Sequence, residues 1–265
     1  MEGSCLLLLG TWSKVSQDHV PVVVRGLTKT FFDEGRGEVA AVRGIDFECR
    51  AGEVFGLLGA NGAGKTTTLR MLSTVLVPSA GTAQVHGHDV AREPEAVRRC
   101  LGFYSAGTAL YPRLTARETI EFFARINQYP SAGVPARVAG LVERFGIGAY
   151  ADARVDKLSS GMKQKVSIAR TVAHDPPLLV FDEPTVGLDI LNALEMQAVI
   201  KELRAEGKTI IFSTHIMSEA EKLCDRIAIL HDGRILACDT LDGLRQATGA
   251  RYLEDIFVHY VKAPA

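Results

Sequence analysis

The chain has 265 residues, 47% of them hydrophobic and 23% charged, with 30 basic against 31 acidic side chains. This is globular composition with enough length for a sizeable core, and a net charge of −1 gives no broad basic surface for nucleic acid. The cysteines (Cys5, Cys49, Cys100, Cys224, Cys238) are odd in number and never spaced as C-x-x-C, which argues against a disulfide framework or a zinc site and for a reducing, cytosolic compartment.

Residues 1–19 read as an irregular leader, because the apolar run Cys5 to Leu9 is too short for a signal-peptide core and has no basic stretch before it. Nowhere do about 18 apolar residues run together, as a membrane span requires. Next come two strands, VPVVVRGL (Val20 to Leu27) and the alternating GIDFECR around Ile45 and Phe47, expected to form an antiparallel β layer. EVFGLLG (Glu53 to Gly59) is a continuous apolar strand of the buried type, followed by a glycine-rich turn and a helix from about Gly64.

From Leu114 the period becomes helical. Thr115 and Glu118 make a capping box, TARETIEFFARINQY runs to Pro130, and a second helix covers about Pro135 to Phe145. No strand pattern interrupts residues 105–171, so they are expected to form a helical lobe inserted in an α/β core at 20–104 and 172–238. The core resumes with LLVFD, KTIIFST, DRIAIL and GRILAC. A helical extension at 241–265, containing YLEDIFVHYV, closes the chain.

GANGAGKT fits the phosphate-loop pattern G-x-x-x-x-G-K-[ST] and sits between a buried strand and a helix. Gly59, Ala60, Asn61, Gly62, Ala63 and Gly64 offer backbone N–H groups to phosphates, Lys65 reaches the β and γ phosphates, and Thr66, followed by Thr67, supplies a hydroxyl for Mg²⁺. LLVFDE ends a buried strand in two carboxylates, which need partners there. A metal held by Asp182, directly or through water, and a nucleophilic water that Glu183 deprotonates as general base or orients are such partners. IIFSTH places His215 at the end of another apolar strand, where it can reach a γ-phosphate.

In DKLSSGMKQKVSIAR, Ser159, Ser160 and Gly161 read as a helix start left open to an anion. Lys163, Ser167 and Arg170 are expected on a polar face opposite Val166, Ala169 and Val172.

In order, Gly59 to Thr67, LSSGMKQKV, LLVFDE, PTVGLD and STH resemble the ATP-binding cassette of ABC transporters, over about Val22 to Leu236. The resemblance implies a P-loop NTPase with a RecA-like α/β core, an antiparallel β subdomain and an inserted α-helical subdomain. It implies ATP and Mg²⁺ as cofactors, Phe31 stacking on adenine, Ser159, Ser160 and Gly161 binding the γ-phosphate of ATP held by a second cassette, Asp189 linking the two cassettes, and His215 as the switch histidine. The implied partners are a second ABC ATP-binding subunit, identical or homologous, and a separate integral-membrane permease on whose cytoplasmic face the chain sits. No nucleic-acid partner is expected.

Two positions depart from the family pattern. Ala106 stands where a glutamine usually contacts Mg²⁺ and the attacking water, and Met162 replaces the glutamine that ends the signature. Several stretches look most like the ATP-binding subunits of ABC-2-type exporters, within them the sodium-export group. The rival readings are an ABC ATPase acting on nucleic acid or the ribosome, and a cassette that binds ATP only as a regulatory module. The first meets a single cassette with no room for a long coiled coil between Lys65 and Gly161, and the second meets an intact Glu183.

Overall fold

The computed structural model describes residues 20–35, 37–105 and 109–262, so the expected leader at 1–19 and the departure at Ala106 lie outside the described residues. The chain starts with a long hairpin of β1 (Val22–Asp33) and β2 (Gly37–Cys49). Val22, Val24, Leu27, Ile45, Phe47 and Cys49 are buried at one end, while most residues in the far halves of both strands are exposed or only partly buried. Those far halves carry little hydrophobic alternation, which is why the sequence suggests shorter strands.

β3 (Val54–Leu58) then enters the core and α1 (Lys65–Leu72) leaves it. β4 (Ala80–Val85) and the two-residue β5 (His88–Asp89) return to the hairpin, giving a four-stranded antiparallel sheet of order β2-β1-β4-β5. After α2 (Pro94–Cys100) comes β6 (Leu101–Ser105), so Ser105 ends a core strand rather than opening the helical lobe.

The inserted helices are α3 (Ala116–Ile126), α4 (Val134–Arg144) and α5 (Ser160–Thr171). Thr115 and Glu118 cap α3 reciprocally, satisfying two of its free N–H groups. Alternation resumes with β7 (Leu178–Asp182), α6 (Ile190–Ala205), β8 (Thr209–Thr214), α7 (Met217–Leu223), β9 (Arg226–His231) and β10 (Arg234–Asp239), followed by α8 (Leu241–Thr248) and α9 (Leu253–Lys262).

The second sheet has the order β10-β9-β3-β8-β7-β6, parallel throughout except for β10. β3, β7 and β8 are buried at every residue, as expected of strands covered on both faces. On one face Phe181 and Phe212 pack with Ile120, Leu141 and Val166, so the inserted helices share a core with the sheet. On the other, Phe55, Val180 and Ile211 pack with α1 and the hairpin. A third cluster joins Leu244, Leu253 and Ile256 of the closing helices to Leu58, Ala220 and Ile229. Among the described residues, no helix is long and apolar enough to cross a membrane.

Candidate active site

The parallel register aligns the ends of three strands. Leu58 pairs with Thr214 and Asp182 with Ser213, so the loop at Gly59, the carboxylates at 182 and 183, and His215 emerge together at the carboxyl edge of the sheet. In open α/β sheets this edge is where ligands bind.

Gly64 is the N-cap of α1 with φ 106°, a left-handed conformation that disfavours a side chain, and a Cβ there would lie 2.5 Å from the Ala41 carbonyl. The turn can therefore pack against β2 only with glycine at this place. Ala41, Asn61, Gly62, Lys65, Thr66, Thr67 and Glu183 line the resulting cleft.

Lys65 is 4% exposed, and its ammonium donates to the carbonyls of Gly59 (2.8 Å) and Ala60 (3.1 Å) while lying 3.0 Å from Oε1 of Glu183. Oδ1 of Asp182 accepts from the Thr66 hydroxyl at 3.0 Å and from the Ser213 hydroxyl at 2.8 Å. The Glu183 N–H donates to Ser213 Oγ at 3.0 Å, and His215 Nδ1 lies 3.3 Å from Glu183 Oε1. Lys65, Thr66, Asp182, Glu183 and His215 thus form one connected group, with Ser213 at its centre. Ser213 was not among the expected site residues; its signal is a hydroxyl in a fully buried strand, which needs a partner.

Glu183 has φ 46°, a costly conformation for a non-glycine residue and one that clusters at functional sites. Burial pushes its carboxyl up, but hydrogen bonding and attraction from Lys65, then from His215, outweigh burial and hold it below the ordinary carboxylate value. It is therefore ionised at neutral pH. The Thr66 hydroxyl and the Asp182 carboxylate are hard oxygen donors of the kind Mg²⁺ takes alongside phosphates.

A second group lies on the inserted helices and α6. Ser159 is the N-cap of α5, and its hydroxyl accepts from the Met162 N–H at 3.3 Å, so the helix start is capped rather than left open. The N–H groups of Ser160 and Gly161 lie in the same first turn, where no acidic side chain competes for them. Met162 turns toward the core, where it packs against the large hydrophobic cluster. Asp189 caps α6, accepting from Leu191 N–H at 3.0 Å and Asn192 N–H at 3.1 Å; those bonds, Asn192 first, hold its carboxyl below the ordinary value. A Cβ on Gly161 would lie 3.8 Å from Asn192 Oδ1, so the starts of α5 and α6 are neighbours.

The expected polar face of α5 needs correction at Arg170. This residue is 3% exposed, its guanidinium sits 5.0 Å from the Phe123 ring centre, and it donates to the Ala109 carbonyl at 3.4 Å. A flat, weakly hydrated cation can be buried against an aromatic face in this way. Phe31 lies on β1, 39% exposed, with the Lys29 ammonium 5.2 Å from its ring centre. Among the described residues, no hydrogen bond or ion pair joins the phosphate-loop group to the Ser159–Asp189 group.

The family model described as ABC transporter matches residues 42–186, more than half of the chain. The chain belongs to the ABC transporter family. Its likeness to the ABC transporter ATP-binding protein NatA of Bacillus subtilis (strain 168) is 41% identity over 228 residues, covering 86% of this chain and 93% of that protein. The daunorubicin/doxorubicin resistance ATP-binding protein DrrA of Streptomyces peucetius is 38% identical over 80% of this chain, which spans 64% of DrrA.

Among solved structures, an ATP-binding subunit of an ABC transporter superposes with a TM-score of 0.82 at 31% identity, covering 91% of this chain and 99% of the other. The dimeric post-hydrolysis ATP-binding cassette MJ0796, bound to ADP and Pi, gives 0.75 at 26% identity, with 83% and 98% covered. The fold is therefore that of the ABC ATPase expected from the sequence. As an ATP-binding subunit of the ABC transporter family, the chain binds and hydrolyses ATP.

Proposed function

We propose that the chain is the motor of an ABC exporter, working as one of two cassettes that close on ATP and drive a separate membrane permease from its cytoplasmic side. The observation that carries this reading is the division of the site: a phosphate-loop group and a signature group share one chain without touching. Each group is half of an ATP site, so two cassettes facing each other complete two sites.

In this reading the backbone from Gly59 to Gly64 wraps the phosphates, and Lys65 leaves Glu183 for the β and γ phosphates. Phe31 stacks on adenine. Thr66 and Asp182 would hold Mg²⁺, which would neutralise phosphate charge during transfer. Glu183, ionised and half-buried, takes the proton of the attacking water, and His215 steadies the γ-phosphate and Glu183 together. The Ser159 hydroxyl and the N–H groups of Ser160 and Gly161 meet the γ-phosphate of the other cassette, and Asp189 lies where the two cassettes cross. Val186, Ile190, Leu191 and Leu194 are exposed apolar residues beside Asp189, and such a patch favours a protein partner at that face.

Export as the direction rests on the relatives, which include Nod factor export ATP-binding protein I of Ralstonia nicotianae at 41% identity. Sodium is the cargo to test first, from the group resemblance alone. Purification of the tagged chain from a detergent extract should bring down a polytopic membrane protein, and Glu183→Gln should make an ATP-dependent dimer in solution. Recovery of only ribosomes or DNA would overturn the transport reading.

A further inference from the structure

Glu219 is a carboxylate only 5% exposed on the first turn of α7, just past His215. Among the described residues no lysine or arginine pairs with it. Oε2 accepts from the Thr214 hydroxyl at 2.9 Å, and Oε1 accepts from the Gln197 amide of α6 at 3.5 Å. The same Thr214 hydroxyl accepts the Ile216 N–H at 3.0 Å, while the Thr214 carbonyl accepts the Gly59 N–H at 3.3 Å. His215 therefore lies between two residues tied by a single hydroxyl, and that hydroxyl has one proton, given to Glu219. A buried charge without a cation is costly to keep, and its main bond is to the turn that presents the histidine.

We propose that Glu219 is a positioning residue for ATP hydrolysis: through Thr214 it sets the backbone turn that aims His215 at Glu183 and the γ-phosphate. Its second bond, to Gln197, joins that turn to α6, the helix whose start Asp189 caps. An apolar residue at 219 would leave the Thr214 proton without its acceptor, so the hydroxyl would rotate, loosen Ile216 and let the imidazole drift. Small misplacements of this kind lower turnover without weakening nucleotide binding. The proposal rests on the reading that His215 acts in hydrolysis.

The test uses the full chain with MgATP and compares Glu219→Ala, Glu219→Gln, Thr214→Val, Thr214→Ser and His215→Ala, each checked by thermal melting. Glu219→Ala should lower kcat by about ten- to a hundredfold with KM for ATP changed by less than about twofold. Glu219→Gln and Thr214→Ser keep an acceptor and a donor and should stay within about threefold of the parent. Combined with His215→Ala, Glu219→Ala should add no further loss, because both act through one group. Where Glu219→Ala fails to fold, Thr214→Val must show the same kcat loss.

The Cε1–H resonance of His215, assigned by its disappearance in His215→Ala, gives a reading without turnover. It should move in Glu219→Ala or Thr214→Val and stay in Glu219→Gln. Losses that multiply in the double variant, a loss expressed in KM, or an unmoved His215 resonance overturn the proposal. Full turnover in His215→Ala overturns the reading of His215 itself. A kcat loss in Glu219→Ala alongside it would then show Glu219 acting elsewhere.

Discussion

The ammonium of Lys65 lies 3.0 Å from Oε1 of Glu183, deep in the phosphate loop. With the Gly59 and Ala60 carbonyls as its other two partners, all three of its donors are engaged. In the proposed mechanism an incoming phosphate takes the place of Glu183 on this lysine, which releases the carboxylate for a water molecule. On that proposal, binding of nucleotide and arming of the base are one exchange.

Glu183→Gln removes both the proposed base and the lysine's anionic partner. Turnover should fall by at least about a hundredfold, while ATP affinity should rise by about fivefold, equivalent to about 1 kcal/mol for a partly exposed ion pair. Steady-state hydrolysis and equilibrium nucleotide titration measure the two effects separately. Unchanged turnover would remove Glu183 from the role of base.

Gly161 occupies the first turn of α5 with open space around it apart from Asn192. An aspartate there adds negative charge to a helix start, which favours the helix by a few tenths of a kcal/mol and repels phosphate. Gly161→Asp should therefore leave the melting temperature level or raise it, yet abolish ATP-driven dimerisation and turnover. A variant that melts early and keeps its activity would contradict the proposed role of the signature.

The exposed ring of Phe31 should matter only when nucleotide is present. Stacking on a base is worth about 1–3 kcal/mol per base, so Phe31→Ala should weaken ATP binding by about fivefold or more, and Phe31→Tyr should restore it. Stability without nucleotide should change little, since the side chain is already solvated. An equal effect on triphosphate without a base would show that the ring does not contact adenine.

His174 follows α5, and its Nε2 lies 3.2 Å from the Leu101 carbonyl. Burial drives its pKa down to about 4, more than the Leu101 and Arg98 carbonyls raise it. The folded protein thus binds fewer protons than the unfolded chain between pH 6.5 and about 4. Stability from the neutral ring is fully present above 6.5 and lost progressively as pH falls through that window, with a ceiling of about 3 kcal/mol. Chemical denaturation from pH 7 to 4 should show this slope, and His174→Gln should flatten it.

The phosphate loop, the carboxylate pair and the strands before them were readable because each combines a strong periodic signal with residue types that have few other uses. β6 was not read. LGFYS follows α2 without a turn, and its Gly102 looks like a breaker. In the fold a Cβ on Gly102 would lie 2.3 Å from the Thr171 carbonyl, so the glycine permits close approach of the end of α5. Arg170 misled for a related reason: helical periodicity places a charge on a face, but only tertiary structure shows Phe123 covering it. Ser213 depends on Asp182, 31 residues back along the chain, and the burial of Glu219 is set by tertiary packing, so neither is within reach of local pattern.

The pairing of Leu58 with Thr214 and of Asp182 with Ser213 carries a further consequence. Successive strand residues point to opposite faces, so a slip of one residue in β8 would remove the Ser213 hydroxyl from Asp182 and turn His215 away from Glu183 together. In the proposed mechanism the support of Asp182 and the placing of His215 beside the base would be lost as one event. Substitutions that loosen β8 should consequently yield folded molecules with no intermediate activity, and a population of mixed registers should behave as a smaller amount of fully active protein.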